Sequence, residues 1–237
     1  LNSKITQPAF DNKRKIEDLH KSLVSGEITS TELTNAYFQE IEKNEKEINA
    51  FVTLTKNIAL KQASEIDKKI KNNEEISLIA GIPLALKDNF NYIGTKTTAS
   101  SKILDNYISP YNATVTQRLV DSGAVIVGKA NLDAFAHGSS TETSDYGVTK
   151  NPHDKSRIPG GSSGGSSAAV AANFSTYAIG SETAGSVRGP AAWCGVYGFA
   201  PTYGRFSRYG VIAMGSSLDR PGILANSVRD LAIVSDV

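Results

Sequence analysis

"IPGGSSGGSSAAVAA" at residues 158–172 and "IGSETAGSVRGPAAWCG" at residues 179–195 are the segments from which the fold and chemistry of this chain are read. Each sets serines in glycine-rich backbone just ahead of a run of small residues able to form a helix. The second overlaps an apolar, strand-like run, "TYAIGS" (176–181). Similar runs are "IPLALK" (82–87), "AVIVGK" (124–129) and "GVYGFA" (195–200), each bounded by glycine, proline or charge. Helical candidates lie at 113–121, at 163–173, near Arg188 and after Ser227. Strands alternating with helices predict an α/β fold, a mostly parallel or mixed sheet with helices on both faces.

Residues 1–75 read as a mainly helical scaffold. Asp11 is placed to cap a helix carrying Ile16, Leu19, Leu23 and Val24 on one face and stopped at Gly26. Thr29 and Glu32 have the spacing of a capping box, followed by the stripe Leu33, Tyr37 and Ile41. Residues 49–55 read as a short strand and 57–71 as a charged amphipathic helix. The last stretch, "SVRDLAIVSDV" (227–237), reads as a helix without a C-cap, and the chain starts at Leu1. The expectation is one domain over 1–237, the N-terminal part of a larger unit, with its catalytic core at 78–237.

The chain has 237 residues, 40% hydrophobic and 21% charged, with formal net charge +1. That balance argues against a role carried by bulk attraction to nucleic acid or membrane. One cysteine, Cys194, excludes an internal disulfide and fits a reducing, cytoplasmic compartment. His137, His153 and Cys194 lack metal-ligand spacing, so no metal is expected.

Three histidines are too few to favour a histidine triad, which leaves lysine as the base for a serine nucleophile. Lysine serves only when neutral, and removing its proton at pH 7 costs about 4.6 kcal/mol from its ordinary pKa. Lys87, ending an apolar run, is placed to be buried and so shifted. Against that, Asp88 is adjacent and could pair with Lys87 to hold it charged; alone, Lys87 also reads as an ordinary strand-end lysine. The backbone N–H groups from Thr183 to Ser186 precede a helix and could converge on a developing oxyanion. Ser162 follows Gly160 and Gly161, where unusual torsions are accessible. Each motif taken singly also reads as a tight turn with an N-cap serine. A phosphate loop is disfavoured, because neither glycine-rich nucleotide pattern is present.

Taken in order, "GIPLALKDN", "GSSTETSDYG", "NPHDKSRIPGGSSGGSSAAVAA", "GSETAGSVRGPAAWCG" and "PTYGRFSRYG" resemble the amidase signature family from about residue 80 onward. The resemblance implies the amidase signature fold and a Ser-cisSer-Lys triad. Ser186 would be the nucleophile, Lys87 the base, and Ser162, after a cis Gly161–Ser162 bond, the bridge. It further implies an oxyanion hole from the N–H groups of Thr183, Ala184, Gly185 and Ser186. Gly138 and Ser139 would line the acyl pocket, with Arg188 supporting the site. The sequence departs from the family pattern at His137, Glu182, Ala184 and Gly189, where methionine, aspartate, glycine and glutamine are usual.

Within the family, "LDAFAHGSSTE", "PTYGRFSRYG" and "SSLDRPG" are most similar to A subunits of glutamyl-tRNA(Gln)/aspartyl-tRNA(Asn) amidotransferases. That likeness implies glutamine as the amide donor and B and C subunits as partners. ATP, Mg and tRNA would be handled mainly by those partners, with no cofactor in this chain. The alternatives are a free-standing amidase for another primary amide, or a silent scaffold subunit.

Overall fold

The computed structural model describes residues 15–237. It contains helices α1 (Ile16–Val24), α2 (Ser30–Ile48), α3 (Lys56–Lys71), α4 (Thr114–Asp121), α5 (Gly164–Ala171), α6 (Arg188–Trp193) and α7 (Val228–Ser235). Strands are β1 (Phe51–Leu54), β2 (Pro83–Lys87), β3 (Val125–Ala130), β4 (Tyr177–Glu182), β5 (Tyr197–Phe199) and β6 (Arg220–Ala225). They form one sheet in the order β1-β3-β2-β4-β6-β5. β3, β2 and β4 run parallel, and β1, β6 and β5 add antiparallel margins. The mixed α/β sheet expected from the alternation is therefore present.

Strand alternation divides the core in two. Leu84 and Leu86 of β2, with Ile126, Tyr177, Ile179 and Ile223, pack against α1, α4 and α7. Ala85, with Val125, Val127, Ala178 and Leu224, packs on the other face against α3, α5 and α6. α2 serves both layers, sending Leu33 and Tyr37 into the first core and Phe38, Ile41 and Ile48 into the second. α5, "GGSSAAVA", is buried over nearly its whole circumference. Only small residues allow this: a Cβ on Gly165 would sit 2.4 Å from the Asn131 carbonyl and 2.5 Å from that of Ala50.

The capping box forms as the spacing predicts: Thr29 Oγ1 accepts from Glu32 N–H, and Glu32 accepts from Thr29 N–H. Gly26 takes the left-handed φ of 71° that ends α1. Asp11 lies outside the described residues, and the first N–H of α1, that of Ile16, donates instead to Asp230 Oδ1 at 3.0 Å, since Lys15 does not cap it. Val24, expected on the apolar face, is 54% exposed. The apolar stripe closes one residue earlier, at Leu23.

β6 is the strand missed by sequence reasoning. Its "RPGILA" holds a proline and a glycine, both strand breakers. The sheet tolerates them because β5 pairs only with Ile223–Ala225, so Arg220, Pro221 and Gly222 have a neighbouring strand on one side alone.

Candidate active site

Because β3, β2 and β4 are parallel, their carboxyl ends meet at one edge of the sheet, where such folds build their sites. Lys87 ends β2 on the same side as Ala85, facing α5. Its side chain is wholly buried. Nζ donates to Ser162 Oγ at 2.8 Å, Ser181 Oγ at 3.0 Å and the Ser181 carbonyl at 3.3 Å. Burial pushes its pKa down to about 7, against the opposing pull of the Asp133, Asp219 and Glu182 carboxylates.

Asp88 does not hold Lys87 charged. It pairs instead with Lys129, 3.1 Å away, both side chains fully buried. Lys129 also donates to Thr97 Oγ1 at 2.8 Å, and Thr98 N–H donates to Asp88 at 3.0 Å. Residues adjacent in an extended chain point to opposite faces, so sequence proximity misleads here.

The Gly161–Ser162 peptide bond is cis. Ser162 is buried, and Ser163 N–H donates to the Ser186 carbonyl at 3.0 Å, drawing the two serine-bearing segments together. Asp133, buried after β3, accepts from the N–H groups of Ser140 at 3.2 Å and Thr141 at 2.9 Å. Its carboxylate fills the space where a Cβ on either Gly138 or Gly161 would go. Ser139 also presses on Gly161, so the exposed Gly138–Ser139 loop is held beside Ser162. His137 is exposed next to it, its Nδ1 2.9 Å from the Phe135 carbonyl.

Between β4 and α6 runs the turn bearing Ser186, which is 8% exposed. Gly189 N–H donates to the Gly185 carbonyl at 2.8 Å, starting the α6 turn. The N–H groups of Thr183, Ala184, Gly185 and Ser186 find no acceptor among the described residues. Four adjacent unpaired donors thus lie at a helix entrance, where unsatisfied N–H groups carry partial positive charge. The left-handed residue of this turn is Gly185, with φ of 111°, so alanine at 184 meets no torsional obstacle.

Glu182, buried at the end of β4, accepts from the N–H groups of Val187 and Arg188, each at 3.1 Å. Arg188 Nε at 2.8 Å and Arg220 Nη2 at 3.2 Å complete its partners. Burial pushes its carboxyl up, but these donors outweigh burial and hold it below the usual range. Arg188 thus touches Glu182, with its guanidinium largely in solvent.

Sequence reasoning brought forward Lys87, Ser162 and Ser186, but missed Ser181, Asp133 and Asp219. Ser181 ends "TYAIGS", and its hydroxyl meets both Lys87 and Asn89. Asp219 takes a hydrogen bond from the Thr183 hydroxyl. Ser181 and Asp219 meet these partners from distant parts of the chain, whereas Asp133 holds residues seven to ten positions further on. All three lie inside the motifs quoted above, but residue type alone gives them no role there.

The protein-family model described as "Amidase" matches residues 32–237. The chain is 52% identical over 219 residues to the A subunit of the glutamyl-tRNA(Gln) amidotransferase of Thermoanaerobacter pseudethanolicus, covering 92% of this chain and 45% of that protein. The solved structure of the corresponding protein from Thermotoga maritima superposes with a TM-score of 0.85 at 42% identity, over 99% of this chain and 48% of that one. Peptide amidase from Stenotrophomonas maltophilia superposes with a TM-score of 0.91 at 39% identity, over 96% and 48%. The chain therefore spans a little under half the length of the curated relatives it matches.

Proposed function

The chain belongs to the amidase family, and from that premise we propose that it carries the acyl-transfer machinery of the A subunit of a glutamine-hydrolysing amidotransferase. The observation that carries this reading is Lys87: a wholly buried lysine, shifted to about 7 and hydrogen-bonded to Ser162. A lysine half neutral near pH 7 is suited to general-base work, and an ordinary one is not. Every side chain of the proposed site lies within residues 78–237, with the helical N-terminal region as scaffold.

Ser186 Oγ attacks the carboxamide carbon, and its proton passes through Ser162 to neutral Lys87. The carbonyl oxygen becomes an oxyanion in the cup of N–H groups from Thr183 to Ser186. One such donor is worth about 10²–10³ in rate. As the tetrahedral intermediate collapses, the C–N bond breaks and the relay returns the proton to departing ammonia. Water, deprotonated by the same relay, then cleaves the acyl-Ser186 ester. Gly138 and Ser139 border the acyl pocket, and Arg188 steadies Glu182 and with it the entrance of α6.

Identity of 52% to an amidotransferase subunit favours glutamine as the donor. In that setting a B subunit receives the ammonia, a small C subunit clamps the pair, and tRNA, ATP and Mg belong to the partner's half of the reaction, in the cytoplasm. A second reading, a free-standing amidase for another amide, is favoured by the closer superposition on peptide amidase, 0.91 against 0.85.

The test is ammonia release by the complete natural chain and its Ser186→Ala variant, from glutamine and from simple amides, with and without B and C subunits. Serine-dependent release from glutamine that rises with partners and charged tRNA is the expected result. Robust release from another amide by the isolated chain selects the second reading. Release that survives Ser186→Ala overturns both.

A further inference from the structure

Between Glu182 and Ser186 the turn holds only Thr183, Ala184 and Gly185. Ala184 and Gly185 carry no polar side chain, and a Cβ at Gly185 would meet nothing within 4 Å. Glu182 and Ser186 anchor the two ends, through α6 and through Ser163 N–H respectively. The middle has one polar handle, the Thr183 hydroxyl, which donates to Asp219 Oδ1 at 2.5 Å.

Asp219 is itself fixed. It is buried, it immediately precedes β6, and its carboxylate accepts from Met214 N–H at 2.9 Å and from Gly215 N–H at 3.1 Å. The next residue, Arg220, reaches Glu182 at 3.2 Å. Two consecutive side chains at the start of β6 thus grip two consecutive residues of the turn. Loop 212–219 is tied at its other end by Ile212 N–H donating to the Asn89 carbonyl at 2.8 Å, two residues beyond Lys87. The turn that presents unpaired N–H groups is therefore braced against the strand that presents the lysine.

We propose that Asp219 is a positioning residue for the oxyanion turn, acting through the Thr183 hydroxyl to aim the N–H groups at the developing charge. This rests on the proposed function of the same site. A backbone turn with a left-handed glycine and two side chains without polar atoms has little else to hold its orientation.

Steady-state ammonia release by the complete chain, in its natural assembly, tests it in Thr183→Val, Thr183→Ser, Asp219→Asn and the Thr183→Val/Asp219→Asn double variant. Thr183→Val deletes the hydroxyl at nearly constant volume. It should lower kcat by about 10- to 100-fold, less than the loss of a whole oxyanion donor, with KM changed less than about threefold. Thr183→Ser, which keeps the hydroxyl, recovers most of that loss. The double variant is no slower than the slower single variant, because both remove one bond. If Asp219→Asn does not fold, the valine and serine pair decides. An undiminished kcat in Thr183→Val, a loss that serine does not recover, or multiplicative effects in the double variant overturn the proposal. Ser186→Ala runs in parallel: turnover that survives it defeats the functional reading itself, whereas a Ser186-dependent Thr183→Val of normal kcat defeats only the role given to Asp219.

Discussion

Replacing Lys87 with methionine is expected to abolish turnover and yet stabilise the folded chain at neutral pH, by an amount that fades as the pH rises. In the folded chain Lys87 has a pKa of about 7, against 10.5 for the free side chain. The unfolded chain keeps the proton that the folded one releases. Between pH 7 and 10.5 the unfolded state therefore binds more protons, and stability climbs with pH by up to about 1.4 kcal/mol per unit. The cost of burying this lysine is full below pH 7, about 4 kcal/mol at pH 7, and gone above 10.5. Methionine removes the cost but forfeits the bonds to Ser162 and Ser181, leaving an expected net gain of about 1–3 kcal/mol at pH 7. Urea denaturation of the complete chain, followed by circular dichroism at pH 7 and pH 9, measures it. The advantage of Lys87→Met should shrink by about 2 kcal/mol between the two conditions. A difference in stability that stays constant from pH 7 to 9 refutes the burial argument for the base.

Gly185→Ala should slow amide hydrolysis at least tenfold, since φ of 111° there is costly for an L side chain by about 1–3 kcal/mol. Lys129→Met leaves Asp88 as a buried unpaired charge and should cost about 3–5 kcal/mol in a denaturation series, part of it recovered by adding Asp88→Asn. Gly165→Ala drives a methyl against the Asn131 and Ala50 carbonyls and should cost about 3 kcal/mol, read as a fall in melting temperature.

The elements that were legible are those whose determinants are local. The Thr29–Glu32 box is a contact three residues apart, and the apolar runs at 82–87 and 124–129 need no partner to be recognised as strands. β6 escaped because Pro221 and Gly222 argue against a strand locally, while the shortness of β5, set more than twenty residues earlier, is what makes room for them. The site divides the same way. Glycine-rich backbone around Ser162 and Ser186 advertises tight turns and free N–H groups, so the serines stand out. Asp133, Ser181 and Asp219 carry no such flag, because their importance lies in what they touch.

Residue type and order determined that a lysine would end a buried strand, that two serines would sit in turns leading into helices, and that the sheet would be mixed and covered on both sides. Tertiary structure decided which of those groups meet and in what protonation state. Asp88 neighbours Lys87 in the chain yet is neutralised by Lys129, 41 positions away, while Lys87 meets Ser162 and Ser181 at separations of 75 and 94. Desolvation and hydrogen bonding depend on the atoms that surround a group, and for a buried side chain nearly all of those atoms arrive from distant parts of the chain.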